Sequence, residues 1–454
     1  MSSKDSETQD SNSGTLYNDH TQTITGEYPL QDRRKSVAPE LEESCTKVLP
    51  IHTGNSFCVM PFHAVVIENS GLNYELEAVH DIYGHSVYKP CKYIIPNKGY
   101  SCYRPWEVFE GSVPHPFHEI QHSLADHKDV MGCNGCYNKE SQRIESPRQI
   151  FNREIGYTST HEVKYLVVEL SNMCNFKCRM CDAEHSTALY EEHRALTNHE
   201  IKFSNKMVDT VGSFWYDWLE KQDSLQHVVF SGGEPFLDPR FYKTLKIITD
   251  KNFRIKVTVI TNMSTISSKI LPLLQMVHEL EIVMSCDGSG KVGEYLRDGM
   301  SWFDLQANYI FLKDNLPRAT FRIHYVLSAI NVFSCYDHWV DFRGAFDEET
   351  FQNLDIEILD HPEHMQLKAL IGEPKQAAIS YLRSKIRDSA LSNKTKVDMK
   401  IYGALFKAVT LLTSSNENSA EVQKMNANLY EKFGVVDRLR GQSLFAVVPE
   451  LLPL

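Results

Sequence analysis

Three cysteines fall within eight residues in the run Ser171-Asn172-Met173-Cys174-Asn175-Phe176-Lys177-Cys178-Arg179-Met180-Cys181. Thiolates are the preferred ligands of iron–sulfur clusters, and three of them leave one iron of a four-iron cubane without a protein ligand. An open iron can bind a small molecule. Two other readings share this spacing. Positions i, i+4 and i+7 lie on one helical face, where cysteines serve as small buried hydrophobes, although Asn172 and Asn175 favour a turn. A zinc site would need a fourth ligand, with Asp182, His185 or another cysteine as candidates.

Further polar groups recur at the ends of short β-rich runs. Ser231-Gly232-Gly233-Glu234-Pro235 follows one such run, with two glycines that let a ligand approach the backbone and a glutamate able to accept hydrogen bonds from a cationic amine. Thr261-Asn262 ends the next, Ser285-Cys286-Asp287-Gly288 the one after, and Ser328 and Asn331 follow another.

The runs that carry these groups are residues 164–170, 226–230, 254–261, 280–285, 321–327 and 354–359, separated by helix-compatible segments. Short Val/Ile/Leu-rich strands alternating with helices are the signature of right-handed βαβ units and a parallel sheet. The expected fold is α/β, a partial (β/α)6 TIM-like barrel over residues 156–361 whose strand-end loops converge on one face. Residues 1–45 are polar and aperiodic and read as a disordered tail. Residues 46–155 hold Cys58, Cys91, Cys102, Cys133 and Cys136, seven histidines between His63 and His127, and short strand-like runs such as 63–67, an irregular cysteine-rich module in need of a staple. Residues 362–454 are helical in pattern, with helices expected over 373–390 and 420–433. Cys45, Cys286 and Cys335 read as inert thiols, with Cys286 on the active face.

The chain has 454 residues, 42% of them hydrophobic, and a net charge of -12, which argues against a surface that neutralises phosphates; no nucleic-acid partner is expected. No run approaches the ~18 apolar residues of a membrane span, and the N-terminus lacks a signal-peptide layout. Eleven cysteines argue against a disulfide framework, so a reducing, cytoplasmic setting with no membrane partner is the expectation.

Cys-x3-Cys-x2-Cys followed by Gly-Gly-Glu-Pro resembles the radical S-adenosylmethionine superfamily. The resemblance implies that Cys174, Cys178 and Cys181 hold a catalytic [4Fe–4S] cluster whose open iron chelates the amino and carboxylate groups of S-adenosylmethionine. Gly232, Gly233 and Glu234 then correspond to the segment that meets the cofactor's amino group, with Thr261, Asn262, Ser285, Asp287, Arg297 and Ser328 as further cofactor contacts. Met180 takes the slot, often aromatic, that flanks the adenine. The wider pattern looks like the twitch-domain radical S-adenosylmethionine proteins, through Cys58-Val59-Met60-Pro61-Phe62, Pro90-Cys91-Lys92, Cys133-Asn134-Gly135-Cys136-Tyr137 and Ser146-Pro147-Arg148-Gln149. Asp437-Arg438-Leu439-Arg440-Gly441-Gln442-Ser443 and Pro449-Glu450-Leu451 at the C-terminal end also fit it. Phe62 stands where the pattern has Trp, and Lys92 where it has a second cysteine. That leaves Cys58, Cys91, Cys133 and Cys136 to hold an auxiliary [4Fe–4S] cluster or a structural zinc, with Cys102 as a substitute for Cys91. The implied activity is reductive cleavage of S-adenosylmethionine to a 5′-deoxyadenosyl radical that abstracts hydrogen from a peptide or an aminated or nucleotide-linked small molecule. Its electron donor would be a flavodoxin or ferredoxin. The C-terminal helices and the cysteine module are expected to close over the barrel. The rival reading is a zinc-stapled interaction module on a degenerate barrel without radical chemistry.

Overall fold

The computed structural model describes residues 64–68, 87–89, 134–141, 146–154, 163–183, 185–197, 216–251, 254–267, 269–389 and 395–452. The chain divides into a first unit, Met1–Val48, wholly outside these residues, and a second, Leu49–Leu454. The expected tail, and Cys58, Cys91, Cys102 and Cys133, lie outside the described residues.

Ten strands are described: β1 (Ala64–Glu68), β2 (Val87–Lys89), β3 (Tyr165–Glu169), β4 (Lys177–Cys178), β5 (His227–Ser231), β6 (Lys256–Thr261), β7 (Glu279–Ser285), β8 (Arg297–Asp298), β9 (Thr320–Leu327) and β10 (Leu354–Ile358). Eight form one sheet in the order β10-β9-β7-β6-β5-β3-β1-β2, parallel except where β2 pairs with β1. The six strands expected from sequence are β3, β5, β6, β7, β9 and β10, each within a few residues of its forecast position. The run at 63–67 is β1, and it continues the barrel's sheet by pairing with β3. Alternation along the strands separates two faces. Leu166, Val168, Val228, Phe230, Val257, Val259, Ile282, Met284, Phe321 and Ile323 belong to the apolar core shared with the helices.

The opposite face carries a polar row beside the buried Val167, Val229 and Val283. His227 Nε2 lies 2.9 Å from Thr258 Oγ1, Thr258 donates to Glu281 Oε2 at 2.9 Å, and Arg322 pairs with Glu281. This ladder crosses four neighbouring strands, β5, β6, β7 and β9. Burial holds the His227 imidazole down at about 4, so it is neutral within the ladder near neutral pH.

Ser146-Pro147-Arg148-Gln149 is a helix start. Gln149 N donates to Ser146 Oγ (3.2 Å) and Ser146 N to Gln149 Oε1 (3.0 Å), a reciprocal cap on the helix Pro147–Glu154. Cys136 is buried in the preceding helix, Asn134–Ser141. The C-terminal part contains helices Gly372–Ser389, Lys396–Ser414 and Ala420–Arg440. The middle one lies outside the two expected helices, and Thr395 and Asp398 form a capping box at its start. The last runs seven residues past the expected 433, to Arg440, and is capped by Gly441 in the left-handed region (φ 65). No helix among the described residues is long and apolar enough to cross a membrane.

Phe230 is fully buried and meets Phe241 edge-on at 4.8 Å, whereas Phe303 is 77% exposed. Phe230→Ala is expected to lower unfolding free energy by ~3–5 kcal/mol in urea titrations. Phe303→Ala should stay within about 0.5 kcal/mol of the parent.

Candidate metal centre

The segment between β3 and the helix Tyr190–Thr197 has almost no regular structure of its own, and side chains and neighbouring strand ends hold it in shape. Ser186 Oγ donates to Phe176 O (2.6 Å), Thr187 N to Asn172 O (2.9 Å) and Cys174 N to Thr187 Oγ1 (3.2 Å). Its two strand residues pair antiparallel with β8, placing Cys178 opposite Arg297. Arg179 N donates to Leu296 O (2.8 Å) and Cys181 N to Cys178 O (3.1 Å). All three cysteines are half-buried in this loop.

The Gly-Gly-Glu turn after β5 docks on the same loop. Gly233 N donates to Ser171 O (2.9 Å) and Glu234 N to Met173 O (2.7 Å). A Cβ at Gly233 would stand 2.3 Å from Met173 O, and one at Gly232, where φ is +106, would stand 2.7 Å from Ser171 O. The close approach these glycines permit here is therefore that of the cysteine loop's own backbone. Glu234 is 1% exposed. Its carboxylate accepts from Asn262 N (2.6 Å), Thr261 Oγ1 (2.7 Å) and Phe236 N (3.0 Å), tying the end of β5 to the end of β6.

Two of the expected cofactor contacts touch the thiols. Asn262 Nδ2 points at Cys174 Sγ (3.7 Å) while donating to Asn175 Oδ1 (3.0 Å), and Arg297 Nη1 points at Cys178 Sγ (3.8 Å). Arg297 is aimed by the fully buried Asp287 through Nε to Oδ2 at 2.7 Å, and Asp287 is itself held by Val326 N (2.9 Å). Ser285, at the end of β7, is half-buried. Met180 is half-buried against the core. Ser328 is fully buried, its Oγ 3.1 Å from Asn331 Oδ1, so it shapes its own loop. Cys286 and Cys335 are buried, and burial drives both thiols upward, Cys286 to about 12, in keeping with inert thiols.

The donor set fits an iron–sulfur cluster. Burial pushes the thiols of Cys174, Cys178 and Cys181 upward, Cys178 to about 11, so without metal they stay protonated near neutral pH. A bound cationic centre reverses that preference, because coordination deprotonates a thiol. Each thiolate of a cubane binds a different iron, so the three need not converge on one point, and among the described residues no three His, Cys, Asp or Glu side chains do. Nearby, Asn172 Oδ1 and Ser231 Oγ are buried without a hydrogen-bond partner among the described residues. Unmet polar atoms at a strand end suit a bound polar ligand.

Sequence reading missed the groups that brace the loop. Arg179, inside the cysteine motif, is buried against Asp437, and Arg440 reaches Lys177 O (2.7 Å). The Asp437–Ser443 run is legible as a motif, but nothing in linear spacing places it against Cys178.

Burial raises the Glu234 carboxyl from 4.5 to about 7, against the pull of its three donors. Between those values the folded metal-free protein binds more protons at this site than the unfolded chain, so its contribution to stability falls as pH rises. His227, His338 and His364, held down at about 4 by burial, act in the opposite sense below pH ~6.5. The test is therefore a difference: the stability advantage of the parent over Glu234→Gln should shrink by about 3 kcal/mol between pH ~4.5 and ~7 in urea unfolding. A difference that stays flat contradicts the shift.

A family model described as the Radical SAM superfamily matches residues 168–289, which begin in β3 and end just past β7. The chain is 20% identical over 242 residues to the radical SAM cyclopropyl synthase TigE of Paramaledivibacter caminithermalis, covering 52% of this chain and 46% of that one. It thus spans about half the length of that curated relative. Among solved structures it is similar to native anSMEcpe with bound AdoMet and Cp18Cys peptide, at 17% identity, 50% of this chain and 60% of that one, with a TM-score of 0.34. Another is Streptococcus suis SuiB bound to precursor peptide SuiA, at 15% identity, 66% and 55% coverage and a TM-score of 0.35. The cysteine loop and the Gly-Gly-Glu turn both lie inside the segment that matches the Radical SAM superfamily model.

Proposed function

We propose that this chain is an enzyme that holds a [4Fe–4S] cluster on Cys174, Cys178 and Cys181 and binds S-adenosylmethionine at the iron they leave open. The observation that carries the reading is one loop bearing three half-buried cysteines, pinned by backbone bonds to β8 and to the turn after β5. When bound, the cluster and cofactor supply reductive cleavage of the sulfonium to methionine and a 5′-deoxyadenosyl radical that takes hydrogen from a C–H bond. The chain's own residues bind and orient. Glu234 sets the turn that meets the cofactor's amino group, and Asn262 and Arg297 direct N–H groups at two of the thiols. Met180, Gly232, Gly233, Thr261, Ser285, Asp287 and Ser328 complete the proposed cofactor region. The substrate class is a peptide or an aminated or nucleotide-linked small molecule, and the electron donor a flavodoxin or ferredoxin in a cytoplasmic setting.

The reading includes an auxiliary cluster on Cys58, Cys91, Cys133 and Cys136, supported by the twitch-like cysteine pattern. Four thiolates would leave it no open iron, which suits electron transfer or stapling.

Anaerobically reconstituted, reduced protein is expected to release 5′-deoxyadenosine slowly without substrate, and Cys178→Ala to abolish release; an intact cluster without that product overturns the function. Replacing Cys174, Cys178 and Cys181 together by Ala should leave a brown protein with about half the iron, because two cubanes become one. Its spectrum should not respond to added S-adenosylmethionine. Zinc in place of iron in that variant refutes the auxiliary cluster.

A further inference from the structure

The end of the last long helix, Ala420–Arg440, is built onto the cysteine loop. Arg179 lies between Cys178 and Cys181, and its side chain is 3% exposed. Its Nη2 donates to Asp437 Oδ1 (2.5 Å) and Gln442 Oε1 (2.5 Å), and its Nε to Tyr295 O (3.0 Å). The guanidinium also lies over the Tyr295 ring at 3.7 Å and 5.1 Å from that of Phe433. Asp437 is saturated in turn, accepting from Tyr295 Oη (2.9 Å) and Leu444 N (2.6 Å).

On the other side of Cys178, Arg440 donates through Nη1 to Lys177 O (2.7 Å) and grips Glu192 through Nε and Nη2, both at 2.8 Å. Gln442 Nε2 donates to Asp298 Oδ1 (3.1 Å), the residue paired with Lys177 across the β4–β8 ribbon. Both sequence neighbours of Cys178 are thus held by one short stretch of chain more than 250 positions away. Gly441 makes this geometry possible, because its left-handed φ of 65 turns the chain back so that Gln442 reaches the loop.

We infer that Asp437, Arg440 and Gln442 form a positioning clasp that sets the placement of Cys178 and Cys181 for their metal. The inference rests on the cluster assignment proposed above. A loop with two residues of strand has little internal order, and a planar guanidinium fork fixed at both ends gives it direction as well as position. The clasp also couples the 437–442 segment to the cluster loop, so loss of that segment loosens the thiols without touching the barrel's strands.

The test uses the full chain with Asp437→Asn on one side of Cys178 and Arg440→Gln on the other; both side chains are buried, so unchanged exchange in β6 and β7 is the check that each variant has folded. In metal-free protein, amide exchange in a peptide spanning residues 176–183 is expected to rise at least ten-fold in each variant, with β6 and β7 unchanged. In reconstituted protein, release of iron to a chelator should quicken at least ten-fold, and Arg440→Lys should recover part of the loss. Unchanged loop exchange in both variants, or faster exchange confined to the helix, overturns the clasp. Native protein that takes up no cluster overturns the proposed function instead, while exchange in the metal-free loop still decides the clasp.

Discussion

Three thiols can share one cluster only if their spacing is imposed from outside, because a loop with two residues of strand pays the entropy of ordering almost without internal bonds to offset it. Here the imposed order comes from backbone bonds to elements that are themselves rigid. Ser171 and Met173 carbonyls accept from the turn after β5, Asn172 O from Thr187, and the cysteine strand pairs with β8. The parallel sheet matters to the site chiefly as the frame that brings these ends together. Gly232 and Gly233 are the points where that frame has no room for a side chain.

Charge is handled around the loop by burying each ion with a fitted partner. Asp287 takes Arg297, and Asp437 takes Arg179. Deleting one member of such a pair leaves the other uncompensated, which costs more than the pair contributes. These pairs therefore specify geometry more than they add stability. Their placement matters as well, since Arg297 sits beside Cys178 and lowers the cost of a thiolate there while burial raises it.

One side of the sheet is apolar, and the other carries a polar row beside buried valines. The helices cover Leu166, Phe230, Val257 and Ile282, whereas His227, Thr258, Glu281 and Arg322 form a hydrogen-bonded row on the other face. Such a row keeps register between strands, because a one-residue slip would drive its charges into the core.

Local chemistry was enough to read the strands and the thiols from sequence. Strand runs rich in Val and Ile announced β3, β5, β6, β7, β9 and β10, and spacing alone grouped Cys174, Cys178 and Cys181. Both signals lie within short windows. What the glycines of the turn accommodate, where the Glu234 carboxylate points, and the meeting of Arg179 with Asp437 are contacts across tens to hundreds of residues. Linear pattern carries no distance between such positions, and side-chain direction is settled only when neighbouring elements compete for the same donors. That is why Glu234 reads as an open acceptor in the sequence and is a closed one in the fold, with both oxygens taken by the end of β6 and its own turn.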